Sequence, residues 1–292
     1  MQSLKILKNR IRSIESTNKL TQAMKLISSS KFNVLNNFLN QEKKYENIFI
    51  DLRYYLNIYY NEDLLEKYFS NEYLHLNAKN KLIIVISSDK GLCSAFNDKI
   101  NCLLNFVINK NMNNKIITFG TKARDFSKKN YNNIFVKNFN ISTKNKKIND
   151  ILADIISSYK YILSFLSKNK FNNCQIIYTK FFTTLKQQAI CENFFLNNKK
   201  TYFYDHKFNI DNNLLHIITI ITKNILYNRF LNCLINSMVS EHFSRMTAMD
   251  HAAQNAKKLT AKLKKLYRKN RQMYITKELI EIISGSEATH NI

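Results

Sequence analysis

The sequence predicts an α/β protein: a long antiparallel coiled coil of N- and C-terminal helices plus a central Rossmann-like α/β domain. Three observations predict this fold class. The 292 residues include no proline and three glycines, a composition that permits very long helices. Apolar residues recur every three or four positions towards both ends of the chain. Between the ends, short β-branched runs alternate with helical segments, and the expected boundaries are 1–60, 79–205 and 211–285.

The first element is a helix over residues 3–58, with Ser3 as its N-cap. A stripe of apolar residues runs along it and resumes after a polar interruption at Asn18 and Thr21. At 1.5 Å per residue such a helix would reach about 80 Å, which is more than a compact domain needs. The polar stretch 59–80 is expected to be a connector. The stripe consists of Leu4, Leu7, Ile11, Ile14, Met24, Ile27, Leu35 and Phe38.

From residue 81 the hydrophobic period changes. Continuous apolar runs rich in β-branched residues predict strands, and the segments between them predict helices. Strands of this kind that alternate with helices form a parallel sheet covered on both faces. TYFYD at 201–205 is expected to add a final edge strand. The predicted strands are 81–88, 115–120, 133–139 and 174–182, and the predicted helices lie near 94–110, 121–129 and 147–167.

The last element is a helix from Asp211 to about Ser284, with Gly285 as its C-terminal stop. An apolar seam along it would allow the two terminal helices to pack against each other as an antiparallel coiled coil. Four alanines, at 248, 252, 253 and 256, would let the partner helix approach closely. The predicted seam is Leu231, Ile235, Val239, Phe243, Met246, Met249, Ala253, Ala256, Leu259, Leu263 and Leu266.

The chain is strongly basic, with 45 Lys and Arg against 21 Asp and Glu and a formal net charge of +24. Basic residues concentrate in 1–31 and in 257–271, both on the predicted terminal helices. Composition leaves two explanations open: solvated helix faces in a biased, AT-rich genome, or an acidic partner. Such a partner is either nucleic-acid phosphate or the acidic loops of a protein collar. Aromatic residues are sparse in both runs, which argues against a platform for stacking single-stranded bases.

No constellation of catalytic or metal-binding residues stands out. SSDKGLCSAFN at 87–97 would lie at the carboxyl edge of the sheet, but it matches neither GxGxxG nor GxxxxGK[ST]. Asp89, Lys90 and Cys93 are its candidate catalytic residues, although a strand-to-helix turn with Gly91 at the tight position is the favoured interpretation. The six histidines lack metal-ligand spacing. We therefore expect no catalytic residue, no cofactor and no metal.

Several features predict a cytosolic chain without a membrane span. The start lacks the apolar stretch of a signal peptide, and Lys223 and Arg229 interrupt the most apolar segment before it reaches about 20 residues. The five cysteines form no CxxC pair, so reduced thiols buried in the core are expected. The histidines of the last helix, His242 and His251, are expected to face solvent.

Six segments carry a resemblance to a known family. They are SLKILKNRIRSIESTNKLTQAMKLISSSK (3–31), SSDKGLCSAFN (87–97), FGTKARDF (119–126), IIYTKFFTTLKQQ (176–188), SEHFSRMTAMDHAAQNA (240–256) and YRKNRQMYITKELIEIISG (267–285). In this order, they resemble segments of the ATP synthase gamma chain in its bacterial form, over nearly the whole chain. The sequence departs from the family pattern at Ser94, Ala95 and Ala123, where glycine would be expected, and in lacking prolines around 206–222.

The resemblance implies a non-catalytic rotor. Its coiled coil would stand inside a ring of three alpha and three beta subunits, and its α/β domain would lie at the foot with the epsilon subunit, against the c-ring. It would couple proton-driven rotation of the c-ring to conformational change at the nucleotide sites of the beta subunits. The implied location is the cytoplasmic side of the bacterial inner (plasma) membrane, as a peripheral protein, and no nucleic-acid partner is implied.

The resemblance also implies roles for five residues by motif position. Met24 and Arg245 would lie near acidic loops of the beta subunits, and a guanidinium suits bidentate pairing with carboxylates. Gln272, Thr276 and Glu278 would contact the alpha and beta subunits along the upper shaft. Small residues of the last helix would allow sliding against the collar rather than locking; these are Ser240, Ala252 and Ala253.

The residues alone leave two other functions open. One is a nucleic-acid-binding coiled coil, which rests on charge and predicts a steep loss of affinity with salt. The other is an enzyme that uses the central domain, which the missing glycine-rich fingerprint disfavours.

Overall fold

The computed structural model describes residues 2–59, 78, 80–108, 113–140, 148–169, 171–184, 186–195 and 212–290. The chain divides into two compact units. The helical unit combines Met1–Ser29 with Arg245–Ile292, and the sheet unit comprises Ser30–Ser244. Two long helices, α1 (Gln2–Tyr59) and α5 (Asn212–His290), contribute residues to both units.

Both predicted terminal helices are present, with one difference at the C-terminal end. The prediction that Gly285 stops the last helix is wrong, because α5 continues through it to His290. A glycine that ends a helix usually adopts a positive φ, and the glycine with a positive φ in the described chain is Gly120. The predicted connector at 59–80 lies almost entirely outside the described residues, and the predicted strand at 201–205 lies wholly outside them.

In the helical unit, the two terminal helices are antiparallel. Lys25 Nζ lies 2.6 Å from Asp250 Oδ1, and Lys264 Nζ lies 2.7 Å from Glu15 Oε1. From the first pair to the second, the residue number falls on α1, from 25 to 15, and rises on α5, from 250 to 264. The antiparallel pairing predicted from the two apolar seams is therefore confirmed.

The two ion pairs also shift the acidity of their carboxyl groups. A hydrogen bond from Lys264 lowers the pKa of Glu15, and a hydrogen bond from Lys25 lowers the pKa of Asp250. A carboxyl whose pKa is lowered by folding stabilises the folded chain above its unfolded-state pKa, and this contribution is lost as pH falls through the folded-state pKa. Both pairs are partly exposed, so they specify register more than they add stability.

The buried face of α1 in the helical unit includes polar residues. Thr21 and Ser28 are both buried, and the Thr21 hydroxyl donates to the carbonyl oxygen of Asn18. Ile27, which was predicted to lie in the seam, is 59% exposed, so that prediction is wrong. Helical steps of three and four residues from Ile14 reach Thr21 and Ser28 and leave Ile27 turned away. The predicted interruption of the stripe is therefore a polar part of one continuous seam.

The seam of α5 also differs from the predicted one beyond Ala256. Leu259 and Leu266 were predicted to lie in it, but both are exposed. Leu263 is buried, and the half-buried positions on either side of it are Thr260 and Tyr267. These residues continue the step of three and four, so the helix places a hydroxyl and an aromatic ring where the sequence pattern suggested leucines.

The sheet unit contains five strands in the order β3-β2-β1-β4-β5. The first four are parallel to their neighbours and confirm the four predicted strands, whereas β5 is antiparallel to β4. The fifth strand was not predicted, because its residues QQAICEN show neither a continuous apolar run nor strict alternation. The strands are β1 (Asn80–Ile86), β2 (Asn113–Phe119), β3 (Phe135–Phe139), β4 (Asn173–Phe181) and β5 (Gln187–Asn193).

Helices cover both faces of this sheet, as predicted. Alternate residues of β1 belong to different cores: Leu82 and Ile84 pack with residues of α4 and α5, whereas Ile83 packs with residues of α2 and α3. Because successive side chains of a strand point to opposite faces, a strand buried on both sides must be apolar throughout. The remaining helices are α2 (Phe96–Val107), α3 (Thr121–Tyr131) and α4 (Ile148–Lys168), with a 3-10 turn at Asn132–Ile134.

The turn between β1 and α2 has a different geometry from the predicted one. The left-handed residues are Leu92, with φ of 63°, and Ser94, with φ of 53°, whereas Gly91 does not have a positive φ. The expectation that Gly91 takes the tight position is therefore wrong. Ser94 is also one of the positions where the family resemblance would place glycine, and the left-handed backbone supplies the physical reason.

We expect Ser94→Gly to stabilise the chain by about 0.5–1 kcal/mol, because glycine adopts a positive φ without the steric cost that serine carries. Ser94→Ala is the matched control, since alanine keeps the Cβ that causes the strain. Urea unfolding followed by tyrosine near-ultraviolet circular dichroism measures both, as the chain has 16 Tyr and no Trp. Equal stability of the two variants would contradict the assigned strain.

Candidate partner-contact surfaces

The candidate catalytic residues in the β1–α2 turn have structural roles. The Asp89 carboxylate accepts a hydrogen bond from the backbone N–H of Thr121 at 3.2 Å, and the Thr121 hydroxyl donates to the Asp89 carbonyl oxygen at 2.5 Å. Thr121 is the first residue of α3, so Asp89 places a negative charge at the N-terminus of that helix. This is a common stabilising arrangement and requires no substrate.

Cys93 lies in a closed hydrogen-bonded cluster. It is buried, and Asn97 Nδ2 donates to its sulfur at 3.2 Å and to Ser88 Oγ at 2.8 Å. Ser88 in turn donates to the carbonyl oxygen of Lys90 at 2.8 Å. Within the residues that the structure describes, no group of three His, Cys, Asp or Glu could hold a metal ion.

The other cysteines and the histidines of α5 correct two expectations. Burial raises the pKa of the Cys174 thiol and raises that of Cys233 to about 12, so both are protonated core residues as predicted. Cys102 is exposed, and the expectation of a core position is wrong for it. His251 faces solvent as predicted, but His242 is buried, because its side of α5 is covered in the fold.

The helical unit presents a strongly basic surface. Where the two helices pair, the structure describes two acidic residues, and each already forms an ion pair with a lysine. Glu15 pairs with Lys264, and Asp250 pairs with Lys25. The surrounding lysines and arginines are exposed, and their potentials add in the direction of solvent. Such a surface favours association with a negatively charged partner. The exposed cations are Lys5, Lys8, Arg10, Arg12, Lys19, Lys257, Lys258, Lys262, Lys265, Arg268, Lys269 and Arg271.

The C-terminal part of α5 is apolar on its exposed side. Large apolar residues there, from Met273 to Ile283, have between 44% and 67% of their surface exposed. On a helical projection most of them lie on the half turned away from the seam residues Leu263 and Tyr267, with Ile282 at the edge of that half. Several large exposed apolar residues close together on one helix are typical of a contact site. The residues are Met273, Ile275, Leu279, Ile280, Ile282 and Ile283.

A second exposed apolar group lies on α1. Leu20, Leu26 and Ile27 are all more than half exposed. Sequence reasoning missed both groups as contact residues, because it followed only the seam with steps of three and four. The signal that could have found them is the excess of apolar residues off that seam, since a helix needs only one apolar stripe to pair with one partner.

Two of the five residues with implied contact roles lie near each other on the paired helices. Met24 is half-buried and precedes Lys25, which pairs with Asp250. Arg245 is on α5 about 8 Å along the axis from Asp250 at 1.5 Å per residue. Arg245 is only 6% exposed and is engaged in interactions within the chain. The fold therefore brings Met24 and Arg245 to the same end of the paired helices.

The other three residues lie far from this pair. Gln272, Thr276 and Glu278 are exposed, and Gln272 is about 40 Å from Arg245 along α5. The Thr276 hydroxyl donates to the Gln272 carbonyl oxygen at 2.9 Å, a bond within the helix that leaves the amide side chain at the surface. These three residues share the C-terminal part of α5 with the exposed apolar group.

No helix among the described residues is long and apolar enough to span a bilayer.

A chain from the Euglena gracilis mitochondrial ATP synthase, solved as OSCP/F1/c-ring in rotational state 3, has a similar fold. It matches with a TM-score of 0.69 and 18% sequence identity, over 99% of this chain and 95% of that one. A chain from the rotor of the same enzyme in rotational state 1 matches with a TM-score of 0.65 and 16% identity, over 94% of this chain and 99% of that one.

Relatives found by sequence share a larger fraction of identical residues with this chain than these two solved chains do. The chain matches a family model described as ATP synthase over residues 3–289. It is 34% identical to the ATP synthase gamma chain of Clostridium kluyveri, over 97% of this chain and 96% of that relative. It is 33% identical to the ATP synthase gamma chain of Christiangramia forsetii, over 99% of both chains. The chain belongs to the ATP synthase gamma chain family.

Proposed function

We propose that this chain is the central rotor shaft of an ATP synthase, coupling proton-driven rotation of a c-ring to conformational change at the nucleotide sites of the beta subunits. The observation that carries the proposal is family membership over residues 3–289. The chain itself holds no catalytic residue in this proposal and binds no nucleotide, since its one candidate turn is occupied by helix capping and a buried thiol.

The paired helices suit a shaft mechanically. Neither contains proline, and α5 has a single glycine, Gly285, at its far end, so no hinge interrupts the hydrogen-bonded backbone. A shaft must also be asymmetric to act on three equivalent sites. The helical unit consists of two antiparallel helices with different side chains and so has no threefold symmetry, and three surrounding subunits would each meet a different surface. Switching a site between two states takes about 5 kcal/mol of differential interaction, which several such contacts can supply.

The proposed partners follow from the surfaces and the family. Three alpha and three beta subunits would surround the helical unit, with acidic loops facing its exposed lysines and arginines. The apolar half of α5 near Leu279 would be covered by the same collar. The epsilon subunit and the c-ring would bind elsewhere on the rotor. Through them the chain would be held at the cytoplasmic side of the inner membrane as a peripheral protein.

Met24 and Arg245 are proposed to lie beside the acidic loops of the beta subunits, and Gln272, Thr276 and Glu278 to contact the collar further along α5. The burial of Arg245 limits how it acts. The residue already makes an interaction within the chain and exposes only 6% of its surface, so a partner carboxylate has little of Arg245 to approach. Charge complementarity there would therefore depend on the exposed lysines as well as on Arg245.

Reconstitution tests the proposed function directly. The purified chain should hydrolyse no ATP alone, and its addition to alpha and beta subunits from the same source should assemble an active ATPase. A gamma chain of known activity, mixed with its own alpha and beta subunits, is the positive control. If the control assembles and this chain does not, the rotor proposal is wrong.

Arg245→Glu should reduce ATP-driven proton pumping in vesicles by about 10-fold, because it places a buried negative charge among carboxylate-bearing loops. Arg245→Lys should retain most of the pumping. Lys129→Glu changes charge equally at an exposed position of the sheet unit, outside the basic surface of the helical unit, and is the matched control. Equal pumping by Arg245→Glu and the wild-type chain would remove Arg245 from the contact set.

A further inference from the structure

We propose that the β4–β5 hairpin clamps helix α5 to the sheet, so that sheet and helix turn together under load. This inference rests on the proposed rotor function and goes beyond it, because it assigns the transfer of torque to particular residues. Glu192, Ser240 and Ser244 are the positioning residues. All the contacts involved lie inside the sheet unit, Ser30–Ser244.

Three uncharged hydrogen bonds join the hairpin to successive turns of α5. The backbone N–H of Phe181 donates to Asn236 Oδ1 at 3.4 Å. Ser240 Oγ donates to the carbonyl oxygen of Thr179 at 3.3 Å, and Ser244 Oγ donates to Gln187 Oε1 at 2.9 Å. Ser240 is completely buried. Its hydroxyl therefore bonds the helix to the hairpin, and because the residue is buried it cannot contact a collar, so the expectation that its small size permits sliding there is wrong for this residue.

A charged cluster joins the other end of the hairpin to α5. The Glu192 carboxylate of β5 lies 3.7 Å from Arg229 of α5 and 3.6 Å from Lys180 of β4. The Tyr178 hydroxyl also donates to it, at 3.2 Å. The Arg229 side chain is 20% exposed, so loss of Glu192 would leave a largely buried cation without its counter-charge.

Aromatic rings add to the contact at the turn end of the hairpin. Phe181 of β4 lies 5.9 Å from Phe243 of α5, measured between ring centroids. Phe32 of α1 lies 5.7 Å from Phe181 and 5.5 Å from Phe243. The hairpin therefore contacts both long helices through one three-ring cluster, with the tilted and edge-on geometries that aromatic pairs prefer.

The clamp extends along α5 from Arg229 to Ser244, about 22 Å at 1.5 Å per residue. Contacts spread over this length and displaced from the helix axis resist rotation of the helix against the sheet. A backbone hydrogen bond joins the two sides of the hairpin beside its turn, with the N–H of Phe182 donating to the carbonyl oxygen of Lys186 at 3.2 Å. An antiparallel strand beside an otherwise parallel sheet thus has a mechanical use, since it fixes β4 at the edge that α5 contacts.

The first test weakens the clamp in the assembled enzyme. A Glu192→Ala, Ser244→Ala variant, reconstituted with the other subunits in vesicles, should hydrolyse ATP at the wild-type rate and pump fewer protons for each ATP. Gln188→Ala, an exposed position on the same strand, is the control and should leave the ratio unchanged. An unchanged ratio in the double variant would overturn the clamp. Failure of the wild-type chain to restore ATPase would instead overturn the rotor proposal.

A cross-link provides the second test and does not depend on the stability of the weakened variant. Cysteines replacing Gln187 and Ser244 should be joined by a short bifunctional maleimide, because the native side chains are in hydrogen-bond contact but the glutamine side chain is too long for the contact to imply disulfide geometry. The cross-link should leave proton pumping intact in this variant and restore the pumping ratio when Glu192→Ala is added. Loss of pumping on cross-linking would mean that hairpin and helix must move relative to each other, which contradicts the proposal.

Discussion

Gly120→Ala is expected to destabilise the sheet unit by about 3 kcal/mol or more, a large effect for the addition of one methyl group. Gly120 has a φ of 94°, a conformation that alanine rarely adopts. A Cβ at this position would overlap the carbonyl oxygen of Ser87 and lie 2.8 Å from Ser87 Oγ. Strain and overlap therefore act together.

The surroundings of Gly120 cannot easily move to relieve this overlap. Its own N–H donates to the carbonyl oxygen of Phe139 at 3.1 Å, which ties it to β3. Ser87 Oγ accepts a hydrogen bond from the N–H of Ala123 at 2.8 Å, which ties β1 to α3. Displacing either residue would break a hydrogen bond between buried groups, and each loss adds to the cost.

Gly91→Ala is the matched control for this substitution. A Cβ at Gly91 would meet only Lys122 Cε, at 3.8 Å, and the residue does not have a positive φ. We expect its effect to stay within about 0.5 kcal/mol. Urea unfolding of both variants, followed by near-ultraviolet circular dichroism, compares them. Similar midpoints for the two would contradict the assignment of strain and close contact to Gly120.

The second large effect is expected for Leu279→Glu on the exposed apolar half of α5. It should weaken assembly with the alpha and beta subunits by about 100-fold, or about 3 kcal/mol, because a charge would enter a surface that the proposed collar keeps dry. Leu279 is 54% exposed in the chain itself, so the free energy of unfolding of the isolated chain should change little. Titration of the chain into alpha and beta subunits, scored by ATPase activity, measures the loss.

Ser284→Glu adds the same charge to the same stretch of helix, on the side away from Leu279, and is the control. It should assemble with an affinity close to that of the wild-type chain. Equal assembly by both variants would mean that the apolar half is not covered in the complex. A loss of stability in the isolated Leu279→Glu chain would mean that this side chain already packs within it.

The central strands were predictable because strands buried on both faces consist almost entirely of apolar residues, which is visible in the sequence. Leu82, Ile83 and Ile84 are buried on alternating faces, and only an uninterrupted apolar run satisfies both faces at once. The fifth strand was not predictable in this way. Its residue Glu192 is charged, and it becomes intelligible only when Arg229 and Lys180 are seen beside it.

The functional surfaces divide along similar lines. The family motifs at both ends identified the chain, and the basic runs on both terminal helices were visible as sequence, but their charge could not choose between phosphate and an acidic protein. Ile27 and Leu259 were assigned to the seam because they are apolar and close to the right spacing. Both are exposed, since the seam passes through Thr21 and Thr260 instead.

Residue order alone specified two long helices without breaks, an α/β unit between them and membership of a rotor family, because these follow from local composition and repeating patterns. Tertiary packing decided which apolar residues face inward, which turn residues adopt a positive φ, and which residues of the β4–β5 hairpin contact α5. The physical reason is that burial, strain and ion pairing depend on groups far apart in sequence. Glu15 and Lys264 become partners only when the chain has folded back on itself.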